Sequence, residues 1–395
     1  MISTRQLFFA NLAQTTDFPL ALEVERAQGN YLYDKNNKAY LDLISGISVS
    51  NVGHLHPKVV AAIQHQLTKH MHLQVYGEYI QAPQVLLANK LTTLLPASFE
   101  RVYLVNSGTE AIEGAMKLAK RYTGRYQFIS CKNAYHGSTQ GALSLMGDEY
   151  FKEAYRPLLP GTKQIRFNNF DDIDLISCRT AAVVIEPVQG EAGYITPLPG
   201  YLEAIRQRCT DVGALLVFDE IQTGIGRTGS WFAMQKFGVT PDIVVLAKGL
   251  GGGMPIGAFA SSAAIMDVFK DNPILGHITT FGGHPVSCAA ALATLQAIED
   301  ENLMHGVDEK EKLFRNLLIH PKIKEVRGTG LMLSAQLDTF DQVQKVMHRC
   351  VEKSVLTDWF LFNNTAIRIT PPLTIALAEI EMACNVIIES VAQDQ

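Results

Sequence analysis

The sequence has no cluster of lysine or arginine, and its formal net charge is -5 over 395 residues. Nucleic-acid binding needs a basic footprint, so that class is set aside. Charge of either sign is sparse: 18% of the residues are Asp, Glu, Lys or Arg, against roughly 25% in average soluble domains. So little charge points to surface buried by association, and an oligomer is expected. The six cysteines (Cys131, Cys178, Cys209, Cys288, Cys350, Cys384) are widely scattered. None has the spacing of a metal site or a disulfide framework. Cys209 and Cys288 fall in helix-like apolar segments and read as core, and no metal is expected. Near the start the only apolar run is Leu7-Phe8-Phe9-Ala10, too short for a signal peptide or a membrane span. A reducing cytoplasm and no membrane partner follow as expectations. There is no internal repeat and no low-complexity linker.

What the sequence does contain is concentrated in residues 217–258. Residues 214–218, Ala-Leu-Leu-Val-Phe, are an apolar run of strand length that ends in Asp219. Residues 242–247 form a second, ending in Lys248. Both read as buried parallel strands, and glycines follow each. Open α/β sheets bind ligands beyond the carboxyl ends of their strands, so a carboxylate and an amine converge on one crevice. Burying an ammonium is costly. The cost disappears if its nitrogen forms an imine with an aldehyde, and burial lowers an amine's pKa toward that use. A buried carboxylate needs a cationic partner. The pyridinium nitrogen of pyridoxal phosphate is such a partner, one that these sites pair with an acid.

Two further stretches fit that cofactor. Ser107-Gly108-Thr109 follows a strand-like run (residues 102–105) and opens a helix. Backbone N–H groups and hydroxyls at a helix N-terminus stabilise a phosphate. Tyr135-His136-Gly137 follows a strand at 127–130 and offers an aromatic ring to stack on a flat heterocycle. Gly249, Gly251, Gly252 and Gly253 fit neither a dinucleotide-binding nor a P-loop pattern, and read as tight turns around Lys248.

Around these motifs, residues 1–30 read as an N-terminal arm, 31–42 as a hairpin and 44–56 as a loop. His56-Pro57 opens a helix with Val60, Ile63 and Leu67 at helical spacing. Strands at 127–130, 181–186, 215–219 and 243–247 alternate with helices, which argues for a mostly parallel sheet covered on both faces. A long helix spans 285–299. Beyond residue 300 the segments shorten into a smaller α+β domain. The expected division is 1–50 (arm and hairpin packing with the small domain), 51–284 (large cofactor domain) and 285–395 (connecting helix and small domain).

The ordered set of motifs resembles the class III (ω-amino) aminotransferases of the fold-type I group. It comprises Asn106-Ser107-Gly108-Thr109-Glu110-Ala111, Tyr135-His136-Gly137, Glu186-Pro187-Val188-Gln189-Gly190-Glu191, Phe218-Asp219-Glu220-Ile221-Gln222-Thr223-Gly224, Leu246-Ala247-Lys248-Gly249 and Thr279-Thr280-Phe281-Gly282-Gly283. The resemblance implies a large domain on a mostly parallel, seven-stranded-type sheet plus a smaller α+β domain, and pyridoxal 5′-phosphate as cofactor. It implies that Lys248 holds the cofactor covalently and shuttles a proton, and that Asp219 binds the pyridinium nitrogen. Gln222 would bond the phenolic oxygen, and Tyr135 and Ile221 would pack on the two ring faces. Ser107, Gly108 and Thr109 would hold the phosphate, and His136 and Glu186 would also stand at the cofactor. Thr280 would reach the phosphate of a neighbouring subunit, making a homodimer with shared active sites.

For the substrate, alternation in Ala366-Ile367-Arg368-Ile369-Thr370 turns Arg368 away from the face that buries Ile367 and Ile369. The guanidinium fork suits a carboxylate. The resemblance implies that Glu191 masks this arginine for an ω-amine and unmasks it for glutamate. Within the family the likeness is to acetylornithine and ornithine aminotransferases. That implies ping-pong transfer from an ornithine- or N-acetylornithine-like donor to 2-oxoglutarate, within arginine biosynthesis. Two positions depart from the subgroup: Ser138 stands for an arginine that contacts a substrate carboxylate, and His284 for an asparagine. The alternatives are transaminases of 4-aminobutyrate, other ω-amines or a β-amino acid, and an aminomutase of the glutamate-1-semialdehyde type. A non-enzymatic binding module disagrees with the intact Lys248, Asp219 and Gln222.

Overall fold

The computed structural model describes residues 2–74 and 77–393. Its centre is a seven-stranded sheet in the order Arg101–Val105, Gly257–Ser261, Ile243–Leu246, Leu215–Asp219, Thr180–Ile185, Gln127–Cys131, Thr162–Ile165. Gly257–Ser261 is antiparallel to both neighbours, and the pairs from Ile243–Leu246 outward are parallel. Strands covered on both faces must be apolar on both faces, and these are. Leu216, Phe218, Val183, Ile185, Val244 and Leu246 point into one core. Their neighbours Leu215, Val217, Ala182, Val184, Ile243 and Val245 point into another on the opposite side.

The sequence reading did not anticipate Thr162–Ile165 or Gly257–Ser261 as strands. The first is a polar edge strand with one neighbour. The second is built of small residues around Phe259, whose ring lies where a Cβ on Gly114 would be, 2.4 Å from Cε1. Helix Pro57–Leu67 also differs in its buried face. Val59 and Gln66 point inward, Val60 and Ile63 are half-buried, and Leu67 is 48% exposed. The inward glutamine is tolerated because its amide donates to the carbonyl of His70 at 2.9 Å. The arm itself is partly ordered, with helix Thr4–Asn11 and strand Val24–Gln28, which extends the hairpin Tyr31–Asp34/Ala39–Asp42.

Beyond the central sheet, Glu325–Thr329, Met332–Gln336 and Ala366–Ile369 make an antiparallel three-stranded sheet, packed with helices Val307–Leu317, Phe340–Glu352 and Leu377–Ala392. Leu41 and Leu43 share that core with Ile367, Ile369 and Ile387, and Ala39–Asp42 pairs with Val355–Leu356. Helix Pro285–Asp300 carries the chain across, while its buried side (Cys288, Leu295, Ile298) stays in the large core. Arg227, fully buried, ties the parts together by donating to the carbonyls of Leu331 and Pro371 and to Asn51 Oδ1. Among the described residues no helix is long and apolar enough to cross a membrane, and no group of three His, Cys, Asp or Glu could hold a metal.

Candidate active site

A cavity of about 520 Å³ opens at the carboxyl end of the large sheet. Ser107, Gly108, Thr109, Tyr135, His136, Ser138, Glu186, Glu191, Asp219, Ile221, Gln222 and Lys248 all line it. Each comes from the end of a strand, the turn beyond it or the helix start that follows, so pairing within one sheet is what gathers residues that are far apart in sequence. Two expected residues are not on its wall. Arg368 lies behind Glu191, ion-paired to it. Thr280 is exposed on the segment after Lys270, outside this chain's cavity.

Lys248 follows Ile243–Leu246 by one residue and has φ of 44°, a backbone region that a lysine rarely adopts. Its amine lines the cavity, and burial, with help from Arg368, lowers its pKa against the pull of Glu191, Asp219 and Glu186. Asp219 closes Leu215–Asp219 at 4% exposure. Its Oδ2 is 2.7 Å from His136 Nδ1, and its Oδ1 accepts the N–H of Ile221 at 3.1 Å. Burial opposes a charge on His136, but the hydrogen bond and charge of Asp219 outweigh it and raise the imidazole pKa. Glu186 accepts the N–H of Tyr135 at 3.1 Å and of Gly190 at 2.8 Å. Burial pushes its carboxyl up to about 7.

The phosphate-type cradle is local. Ser107 caps helix Gly108–Thr123, its hydroxyl accepting the N–H of Glu110 at 3.3 Å. A Cβ at Gly108 would stand 2.7 Å from Ile221 Cδ1, so glycine is what lets Ile221 pack over the helix start. Gly137, at φ of 129°, likewise brings the Tyr135 loop onto Thr109, where a Cβ would stand 2.3 Å from Oγ1. Tyr135 Oη is 3.1 Å from Ser138 Oγ.

At the far side Arg368 is 1% exposed. Its Nη1 donates to Glu191 Oε1 at 3.0 Å and its Nη2 to Glu191 Oε2 at 2.7 Å. Burial disfavours the charge on each, yet the pairing wins, lowering the Glu191 pKa and raising that of Arg368.

The donor set fits pyridoxal phosphate. Gln222 Oε1 is buried without a partner among the described residues, and a buried amide oxygen asks for one. The amine, the buried acid and the helix N-terminus face the same cavity. Sequence reasoning missed several wall residues: Val49, Asn106, Met254, Pro255 and Ile256. Asn106 stood inside a quoted motif, but the apolar ones carry no chemical signal.

The class III aminotransferase family model matches residues 12–391. The chain is 38% identical to an acetylornithine aminotransferase of Clostridium acetobutylicum, over 93% of this chain and 95% of that one. An ornithine aminotransferase structure from Toxoplasma gondii ME49 superposes with a TM-score of 0.91 at 30% identity, covering 99% of this chain and 95% of that chain. A second structure of the ornithine aminotransferase from that species is described with partial occupancy of pyridoxal phosphate at its active site. An amine transaminase from an uncultivated Pseudomonas species superposes with a TM-score of 0.90 at 28% identity, covering 98% of both chains. This chain belongs to the class III aminotransferases, and it is a pyridoxal 5′-phosphate-dependent enzyme of that family.

Proposed function

We propose that the enzyme transfers the terminal amino group of an ornithine- or N-acetylornithine-like donor to 2-oxoglutarate by a ping-pong mechanism. The observation that carries this reading is the buried, bidentate Glu191–Arg368 pair at the cavity. With the pair closed, the site presents no free guanidinium and suits an amine. With Glu191 displaced, the arginine fork can take a carboxylate of glutamate or 2-oxoglutarate.

The bound cofactor supplies an aldehyde that condenses with amines and a ring that accepts an electron pair. The chain's own residues do the rest. Lys248 would hold that aldehyde, and its amine, of lowered pKa, would be the group that takes up and returns the substrate's proton. Asp219, steadied by His136, would hold the ring nitrogen in its protonated form. Gln222 bonds the phenolic oxygen. Tyr135 and Ile221 hold the ring faces, and Ser107, Gly108 and Thr109 bind the phosphate at the helix N-terminus. Glu186 pins the loops that carry Tyr135 and Gly190.

The working unit in this proposal is a cytoplasmic homodimer. Thr280 and the exposed apolar Ile274, Leu275, Ile278 and Phe281 around it would meet the partner, Thr280 reaching its phosphate. Ser138 favours a second reading of the donor. Its hydroxyl, beside Tyr135, offers no charge to a donor's carboxylate, which suits simple ω-amines that carry none.

A donor screen with ornithine, N-acetylornithine, 4-aminobutyrate, lysine and simple amines against 2-oxoglutarate tests both readings. Consumption of 2-oxoglutarate with ornithine or its N-acetyl form is expected; turnover of one amine without any oxo acid would point to an aminomutase instead. Arg368→Ala should lower kcat/KM for 2-oxoglutarate about a hundredfold, the scale of a lost buried charge pair. An intact 2-oxoglutarate half-reaction in that variant would refute the carboxylate assignment.

A further inference from the structure

The proposed gate requires Glu191 to move and Arg368 to stay, so the two should differ in what holds them. Besides Arg368, the Glu191 carboxylate accepts one hydrogen bond among the described residues, from the N–H of Leu361 to Oε2 at 3.2 Å. Arg368 has more. Its Nη2 also donates to the carbonyl of Trp359 at 3.1 Å. Its guanidinium carbon lies 4.4 Å from the centroid of the Phe360 ring and 5.9 Å from that of Tyr194, and the Tyr194 hydroxyl is 3.5 Å from Nη1. The two rings brace each other edge to face, with centroids 4.8 Å apart at 89°, an arrangement aromatic pairs favour. Both are fully buried.

The chain goes to some length to place these rings. Tyr194 has φ of 56°, left-handed and uncommon for a bulky side chain. It is held there between Gly193, whose carbonyl accepts from Ser334 Oγ at 2.8 Å, and Ile195, which bridges to Gln189. Phe360 reaches the same spot from the segment between strands Val355–Leu356 and Ala366–Ile369.

We infer that Tyr194 and Phe360 are positioning residues which keep the Arg368 guanidinium aimed at the cavity while Glu191 is away. A guanidinium over an aromatic face is attracted to it and shielded from water. The arginine therefore does not collapse or recruit solvent when its carboxylate leaves. This inference rests on the reading of Arg368 as the carboxylate receptor. The consequence is specific: the rings serve the carboxylate-bearing substrate, through binding more than through chemistry.

The test uses the cofactor-loaded enzyme and L-glutamate in single-turnover absorbance measurements, which separate half-saturation from limiting rate. Phe360→Leu should raise the half-saturating glutamate concentration about tenfold and lower the limiting rate less than threefold. Tyr194→Phe, which loses only the hydroxyl, should raise it two- to threefold. Phe360→Tyr keeps a ring face and should restore most of the loss. Equal falls in limiting rate and affinity in Phe360→Leu, or no change in affinity, would overturn the inference. Arg368→Ala is measured alongside. If it too leaves glutamate half-saturation unchanged, the receptor reading itself has failed. If it weakens glutamate while Phe360→Leu does not, only the aromatic cradle has failed.

Discussion

At the cofactor end of the cavity, Asp219, Lys248 and the Ser107–Thr109 turn come from strands of one sheet and the turns beyond them. At the gate end, Glu191 and Arg368 are 177 residues apart in sequence, the first in a turn beyond strand Thr180–Ile185 of the large sheet and the second in strand Ala366–Ile369 of the three-stranded one. The first end is set by local rules: a strand ends, a glycine turns, a helix begins. The second exists only because the small domain packs against the large one, with Ser334, Leu361 and Phe362 bonded to the Gly190–Tyr194 loop. The difference separates what is fixed from what selects. Chemistry common to the family rests on the rigid sheet. In the proposed mechanism, choice of substrate rests on a contact between the two parts, where a small displacement would change the charge on offer.

The comparison can be pressed experimentally, first at the rigid end. Lys248→Ala should abolish the visible absorbance of lysine-bound cofactor and lower turnover by roughly a thousandfold or more, since both the covalent tether and the proton carrier are lost. Absorbance and steady-state rates read this, and near-normal turnover would remove Lys248 from the mechanism. At the gate, Glu191→Ala leaves Arg368 unmasked. Half-saturation by glutamate should improve while the rate with ω-amines falls, shifting the preference between them about tenfold; competition between the two donors measures it. A shift toward ω-amines would reverse the assigned role of the glutamate.

The two ends should also respond to pH with opposite sign. Glu186, raised to about 7, binds its proton more tightly folded than unfolded. Its contribution therefore falls as pH rises from the ordinary carboxylate range to about 7. Glu191, lowered by Arg368 against the cost of burial, contributes stability at neutral pH. That is lost as pH falls through its depressed value. Denaturant unfolding across this range should show Glu186→Gln flattening the neutral limb and Glu191→Gln the acid limb; the reverse pattern would contradict the two environments. The smallest effect is expected at the helix cap. Ser107→Ala should cost about 1 kcal/mol of stability and release cofactor slightly more readily, read from the melting temperature with and without added cofactor.

Most of the rigid end was legible in the sequence because its signals are short. An apolar run closing in Asp219 or Lys248, and Ser107-Gly108-Thr109 between a strand and a helix, describe themselves within ten residues or so. Alternation alone set Arg368 apart from Ile367 and Ile369, and the structure puts those two in the small-domain core and the arginine outside it. Where reading failed, local pattern and environment disagreed. Thr162–Ile165 is polar because it is an edge, Gly257–Ser261 is small because Phe259 needs the space of Gly114, and Gln66 is buried because a nearby carbonyl satisfies it.

By itself, then, the sequence determined the fold, the cofactor and the placing of an acid and an amine at neighbouring strand ends, for strand ends and helix starts are written in consecutive residues. Tertiary structure alone decided that His136 braces Asp219, that Arg227 ties the loop after Gln222 to the small domain, and that Tyr194 and Phe360 meet over Arg368. Those contacts join residues scores of positions apart, and no periodicity or spacing encodes which buried side chains will share a wall once two domains close on each other.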